Sequence, residues 1–334
     1  MHRGVVLGNY PYNLGDEIRL QAYNEKKDIR SLGMWAAGGI LGYVVIQNLV
    51  SIFLVFVPTL YRLYFEVPLF QSAANIIISV LSMIFPFALS GRAAKKRFGT
   101  HVFAFEKPKD IPFTVTAIGF GVFVCLAGNY VTTLFVNAVD SVGVELSAPE
   151  FSTPTNVFSR IIYAVAIPVV PALTEEFAIR GAVMQPLRRY GDRFAIIASS
   201  FVFAILHGNL IQAPFAFIAG FALGYTVCVT GSIWTGVAIH FINNFYSVVT
   251  EFLIEDIADP KNLDKAYYMI TGVLYVISIA CSVAFVIALK SKKKPVRFVA
   301  LSKARMWKAY IINPPMIIAI IIMLVITAQY VNLK

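Results

Sequence analysis

Apolar residues in this chain come in blocks long enough to cross a lipid bilayer, and nothing else constrains its fold as strongly. A hydrocarbon core of roughly 30 Å takes about 20 helical residues. Nine segments meet that demand, near 34–58, 68–90, 112–138, 158–184, 194–209, 212–229, 232–254, 267–289 and 310–330. With 58% of its 334 residues hydrophobic and 14% charged, the chain is too apolar for a soluble globular protein. The expected fold is all-α: a polytopic helical membrane protein with about eight to nine transmembrane helices.

Charge sets the expected orientation. Of the 28 Lys and Arg, 22 fall in the N-terminal segment and in residues 91–110, 186–194 and 290–309. Acidic connections lie between them, with Asp140, Glu145 and Glu150 in one and Glu255, Asp256, Asp259 and Asp264 in another. The positive-inside rule makes the basic segments cytoplasmic. The N-terminus is then inside, nine crossings follow, and Lys334 ends outside. The formal charge of +10 is read as topogenic, with some attraction to anionic headgroups, and nucleic-acid binding is not expected. A multi-pass protein of the plasma membrane is expected. Residues 1–33 carry charges throughout and no compact apolar run, so no cleavable leader is expected. Cys125, Cys228 and Cys281 lie in apolar spans without disulfide or metal spacing and read as small core residues.

The segments divide into a cytoplasmic tail (1–33), a transmembrane scaffold (34–157), a polar-bearing core (158–254) and C-terminal helices (266–334). The Gly38-x-x-x-Gly42 spacing allows close helix contact in the first span. Polar groups at depth concentrate in the core. Glu175 and Glu176 are adjacent in an otherwise apolar span, and each carboxylate at depth costs about 3 kcal/mol on insertion scales. Pro168 and Pro171 precede them and predict a kink or local opening. Glu176 and Arg180 share a helix face and are expected to pair, whereas Glu175 is rotated about 100° away, towards a cavity. His207 follows Phe203 by four residues in the next span. His240 and Asn244 share a face two spans later, able to point two donors at one spot, with Asn243 turned elsewhere. At 1.5 Å per residue, Glu175 and His240 lie ~12–15 Å from their cytoplasmic ends and His207 ~20 Å. Gly220-x-x-x-Gly224 offers a packing face, and Thr230-Gly231-Ser232 reads as a turn whose hydroxyl caps the following span.

The ordered motifs EExxxR, FxxxH and HxxxN, with GxxxG and TGS before the last, give residues 155–250 a resemblance to the CPBP (CAAX protease and bacteriocin-processing, or Abi) intramembrane proteases. The Ras-converting CAAX endopeptidase is a eukaryotic relative. The resemblance implies that Glu175 activates water and His207 helps to hold it. It further implies that His240 and Asn244 stabilise the oxyanion and that Glu176 and Arg180 support the site. The expected function is an intramembrane endopeptidase near the cytoplasmic leaflet. Its substrate would be a membrane-associated peptide or protein, of prenylated, pheromone or bacteriocin type. No serine or cysteine is expected to share the site, which favours direct attack by water. No cofactor is required on this reading. Because the family is commonly labelled as metalloproteases, a zinc site of Glu175, His207 and His240 stands as the alternative. A non-catalytic immunity or scaffold protein of the same fold is the runner-up. A transporter is disfavoured by the single polar cluster and the lack of a visible inverted repeat.

Overall fold

The computed structural model describes residues 14–99, 105–149, 152–290 and 298–333. Among the sequence expectations, those on Arg3, Glu150, Lys292, Lys293, Lys294, Arg297 and Lys334 fall outside the described residues. The chain is an all-α, multi-pass membrane protein. Its helices are α1 (Leu14–Phe56), α2 (Pro58–Glu66), α3 (Pro68–Ser79) and α4 (Phe85–Phe98), the last two joined through a π-helical turn at Val80–Ile84. Then come α5 (Ile111–Ser141), α6 (Val157–Ala166), α7 (Val169–Glu176) and a π-helical segment, Phe177–Met184, leading into α8 (Gln185–Leu187). The remainder is α9 (Asp192–Leu206), α10 (Ala213–Thr230), α11 (Ile233–Asp256), α12 (Pro260–Leu289), α13 (Lys303–Ile311) and α14 (Pro314–Ala328).

Among the described residues, seven helical stretches are long and apolar enough to cross a membrane, or eight if the bent pair α13–α14 is one span. Eight lies within the eight to nine helices expected; of the nine candidate segments, one is too short and one is bent. The segment near 194–209 forms α9, only 15 residues long, which reaches about 22 Å at 1.5 Å per residue and falls short of a full crossing. The block near 310–330 is broken: α13 and α14 meet at 71°. Asn313 stands at the bend, accepting from Met316 N–H at the start of α14 and donating to the Tyr310 carbonyl. Pro314 and Pro315 after it suit the first turn of a helix but could not continue α13.

Residues 14–33, expected as a tail, are the first turns of α1 and are held at the basic end of the molecule. Asp28 pairs with Arg97 at 2.6 Å and accepts from Tyr190, and Glu25 accepts the Ala300 and Leu301 N–H groups. At the other end, β1 (Val144–Leu146) and β2 (Val331–Leu333) pair antiparallel, with Glu145 opposite Asn332. That ladder joins the C-terminal segment to the acidic connection after α5.

Helix contacts use small residues, though not always the expected ones. Gly38 faces open space, while a Cβ on Gly39 or Gly42 would run into Phe87 or Pro86 of α4. The close face is therefore Gly39 and Gly42, three residues apart, because that side of α1 turns towards α4. Gly220 and Gly224 do form a close face, against Ser200 of α9 and against Met184 and Ile196. The tightest approach to backbone is at Gly33, where an added Cβ would lie 2.3 Å from the Tyr310 carbonyl oxygen and 2.9 Å from Asn313 Nδ2. Backbone cannot yield as a side chain does, and overpacking costs about 1–3 kcal/mol. Gly33→Ala is expected to lower the melting temperature of the purified protein and to speed proteolysis before α13; an unchanged melting curve would contradict this packing.

Candidate active site

The site begins where α6 breaks. Pro171, in the first turn of α7, has no N–H to offer the Ile167 carbonyl four residues earlier, so that carbonyl lacks its helical partner where α6 gives way to α7. Asn244 of α11 supplies the missing donor, with Nδ2 3.3 Å from Ile167 O. The helix restarts as α7 and carries Glu175 and Glu176 in its last turn, after which the backbone widens into the π-helical segment. Such segments are rare and recur at functional sites.

Glu176 and Arg180 are both fully buried. Arg180 Nη1 donates to Glu176 Oε1 at 2.7 Å, and Nη2 donates to the Gly220 carbonyl at 3.2 Å. The guanidinium also lies 4.7 Å over the Phe203 ring. Glu176 Oε1 is shared with His240 Nδ1 at 3.1 Å. A carboxylate only accepts, so Nδ1 carries a proton, and Nε2 is left facing Glu175 Oε2 at 3.7 Å. That separation exceeds a hydrogen bond. No side chain among the described residues hydrogen-bonds the Glu175 carboxylate, whose side chain is 17% exposed. The two glutamates thus differ: one is locked in a buried ion network, the other opens onto a cavity.

His207 sits just past the C-terminus of α9. Its Nδ1 lies 2.8 Å from the Phe203 carbonyl, which accepts, so Nδ1 is again the protonated nitrogen and Nε2 is free. Gly208 follows at φ 62°, a left-handed conformation that turns the chain sharply at depth. The turn is fixed by Asn209, which is 1% exposed. Its Nδ2 donates to His207 O and to Gln212 Oε1, and its Oδ1 accepts from Gln212 N–H. The Phe203 ring packs edge-on against both histidines, at 4.9 and 5.9 Å.

Glu175, His207, His240 and Asn244 all line one cavity of about 870 Å³, together with Asn243. Several local expectations are revised. His240 and Asn244 do not aim at one spot: His240 is held on Glu176 and Asn244 on Ile167 O. Asn243 is not turned away; its Nδ2 donates to Asn244 Oδ1, leaving its own Oδ1 buried without a partner. Ser232 does not cap α11 with its hydroxyl, which instead donates to the Glu106 carbonyl, while Gly231 makes the turn at φ 72°. Cys125, Ser51, Ser79 and Ser247 do reach the cavity wall, against the expectation that no serine or cysteine shares it. The Ser51 and Ser247 hydroxyls donate to carbonyls of their own helices, and among the described residues no serine or cysteine is hydrogen-bonded to a histidine or carboxylate at the site.

Tyr43, Asn209 and Gly236 were not singled out from the sequence. Tyr43 brings a hydroxyl from α1 into the cavity. A Cβ at Gly236 would lie 2.6 Å from Glu176 Oε2, so only glycine lets α11 approach that carboxylate. Its spacing of four from His240 was the available signal, since both then face Glu176. Among the described residues no group of three His, Cys, Asp or Glu side chains is placed to hold a metal ion. Glu175, His207 and His240 therefore do not form a ready three-ligand zinc site in this arrangement.

Residues 157–246 match the family model described as type II CAAX prenyl endopeptidase Rce1-like. No curated protein and no solved structure matches the chain.

Proposed function

We propose that this chain, whose residues 157–246 match the family model of type II CAAX prenyl endopeptidases, is an intramembrane endopeptidase that hydrolyses a peptide bond of a membrane-associated substrate with water activated by Glu175. The observation that carries this reading is the asymmetry of the glutamate pair: Glu176 is buried against Arg180 and His240, and Glu175 faces the cavity that His207 also lines.

The chemistry follows from the donor set. Glu175 takes a proton from water as the oxygen attacks the scissile carbonyl, then delivers it to the leaving amine; a positioned base of this kind contributes roughly 10²–10⁴-fold. His207, fixed as the Nδ1–H tautomer, offers Nε2 to orient that water. His240 stabilises the oxyanion through Nε2–H in the form that carries a proton on both ring nitrogens, with Nδ1–H held on Glu176 Oε1. Asn244 becomes a second oxyanion donor if substrate displaces it from the Ile167 carbonyl. Among the described residues no nucleophilic side chain on the cavity wall is paired with a base, so attack by water is preferred to an acyl-enzyme. The site lies in the plasma membrane in this reading, with the N-terminus cytoplasmic on the placement of the basic segments.

Two tests bear on this reading. A prenylated CAAX peptide carrying a quenched fluorophore should be cleaved by the purified protein, with the rate unchanged after chelation and removal of bound metal. Loss of activity on chelation, restored by zinc, would overturn the metal-free mechanism. Gly236→Ala should push Glu176 and His240 apart. A misplacement of about 1 Å at such a site can cost on the order of 10²-fold, so kcat should fall by that order with KM little changed.

A further inference from the structure

Asn243 carries a buried polar atom that nothing around it satisfies. It stands on α11 three residues after His240, with Asn244 at four, so both amides lie on the side of the helix that carries the histidine. Asn243 is 8% exposed, and among the described residues its side chain makes one hydrogen bond, from Nδ2 to Asn244 Oδ1 at 3.1 Å. Its own Oδ1 is buried without a partner. An amide left half-satisfied in this way destabilises a fold, and an apolar side chain in its place would remove the unpaired acceptor along with the contact. Packing therefore gives no reason for an amide at this position. The reason lies in what its one contact does to Asn244.

An asparagine side chain has a donor end and an acceptor end, and a half-turn about its last bond exchanges them with little change of shape. Two contacts hold Asn244 in one of the two orientations. Its Nδ2 donates to the Ile167 carbonyl at 3.3 Å, and its Oδ1 accepts from Asn243. Exchanging the ends would set oxygen against the Ile167 carbonyl oxygen and NH2 against the Asn243 NH2, so both contacts reject the exchange. The Ile167 contact is given up when Asn244 turns to an oxyanion. The Asn243 contact remains, because it grips the end of the amide that faces away from the reaction. Without it, a displaced Asn244 could present its oxygen to the developing negative charge, which that oxygen repels.

We propose that Asn243 is a positioning residue, whose Nδ2 holds the Asn244 oxygen so that the Asn244 NH2 is the end presented to the oxyanion. This rests on the endopeptidase reading for its effect on rate but not for the contact itself. A double-variant cycle on the fluorogenic prenylated CAAX peptide tests it. Asn243→Leu keeps a branched side chain and Asn243→Ala avoids crowding. At least one of them should melt at or above the wild-type temperature, since the unpaired Oδ1 is gone. In that variant kcat should fall about tenfold with KM little changed, a fraction of the roughly 10²–10³-fold that one oxyanion donor supplies. In an Asn244→Ala background the same substitution should change kcat by less than about twofold, because it acts only through Asn244. An equal fall in both backgrounds, or an unchanged kcat with Asn244 present, would overturn the proposal. So would a melting temperature more than about 5 °C below wild type in both variants, which would make Asn243 structural. If the wild-type protein cleaves nothing, the endopeptidase reading fails by itself, and NMR of protein labelled in its asparagine amides reads the contact directly. The Asn244 side-chain amide signals, identified by their loss in Asn244→Ala, should shift and broaden in the Asn243 variant; unchanged signals would overturn the positioning role.

Discussion

Glu175→Gln is expected to abolish peptide hydrolysis while leaving the protein folded and in the membrane. The side chain keeps its size and loses only its capacity to take a proton. Removing a positioned general base costs roughly 10²–10⁴-fold, and a loss near 10³ corresponds to about 4 kcal/mol of transition-state stabilisation. Because no described side chain hydrogen-bonds the Glu175 carboxylate, the amide leaves no protein partner unpaired. Stability should therefore change little, and thermal unfolding with single-turnover kinetics on the prenylated reporter measures both halves. Retention of more than about a tenth of the wild-type kcat would remove Glu175 from the base role.

Arg180→Met should behave in the opposite way and act first on folding. Arg180 and Glu176 are each 0% exposed, and the pair is completed by the Gly220 carbonyl and the Phe203 ring. Removing one partner of such a pair leaves a buried uncompensated charge, which costs about 3–5 kcal/mol. That is a large share of the roughly 5–15 kcal/mol that holds a typical domain, so yield of folded protein should fall sharply. Neutralising both partners removes the stranded charge. The double variant Glu176→Gln, Arg180→Met should recover most of the lost folding and little of the activity, since His240 Nδ1 then loses its carboxylate. Equal loss of stability in the single and double variants would show that packing of the arginine stem, rather than charge, dominates there.

Much of this arrangement was legible in the sequence because it depends on spacing along helices. The four-residue step from Glu176 to Arg180 fixes a shared face, and the 100° rotation to Glu175 frees it, whatever the neighbours do. Pro171 announces a broken helix because it lacks a donor. What spacing cannot convey is which neighbour meets each face. Gly38 and Gly42 carry a familiar pattern, yet α4 meets Gly39 and Gly42. Asn244 was read as a free donor, but its amide answers the carbonyl that Pro171 leaves unpaired, a debt that lies 77 residues away in sequence. Asn209 and Gly236 gain their importance only from a turn at depth and a carboxylate on another helix. The shortness of α9 and the bend between α13 and α14 were hidden for a related reason. An apolar block reports compatibility with lipid, while Gly208, and Asn313 with the two prolines after it, decide where its helix stops.

The central claim is that Glu175 makes this chain a membrane protease, and comparison of membrane and secreted peptides from cells carrying the wild-type protein or an equal amount of Glu175→Gln tests it without assuming a substrate. Peptides with new termini should be present with the wild type, and their uncut precursors should accumulate with the variant. Identical peptide populations, together with full function of the variant in the cell, would contradict the claim and leave a binding protein of the same fold.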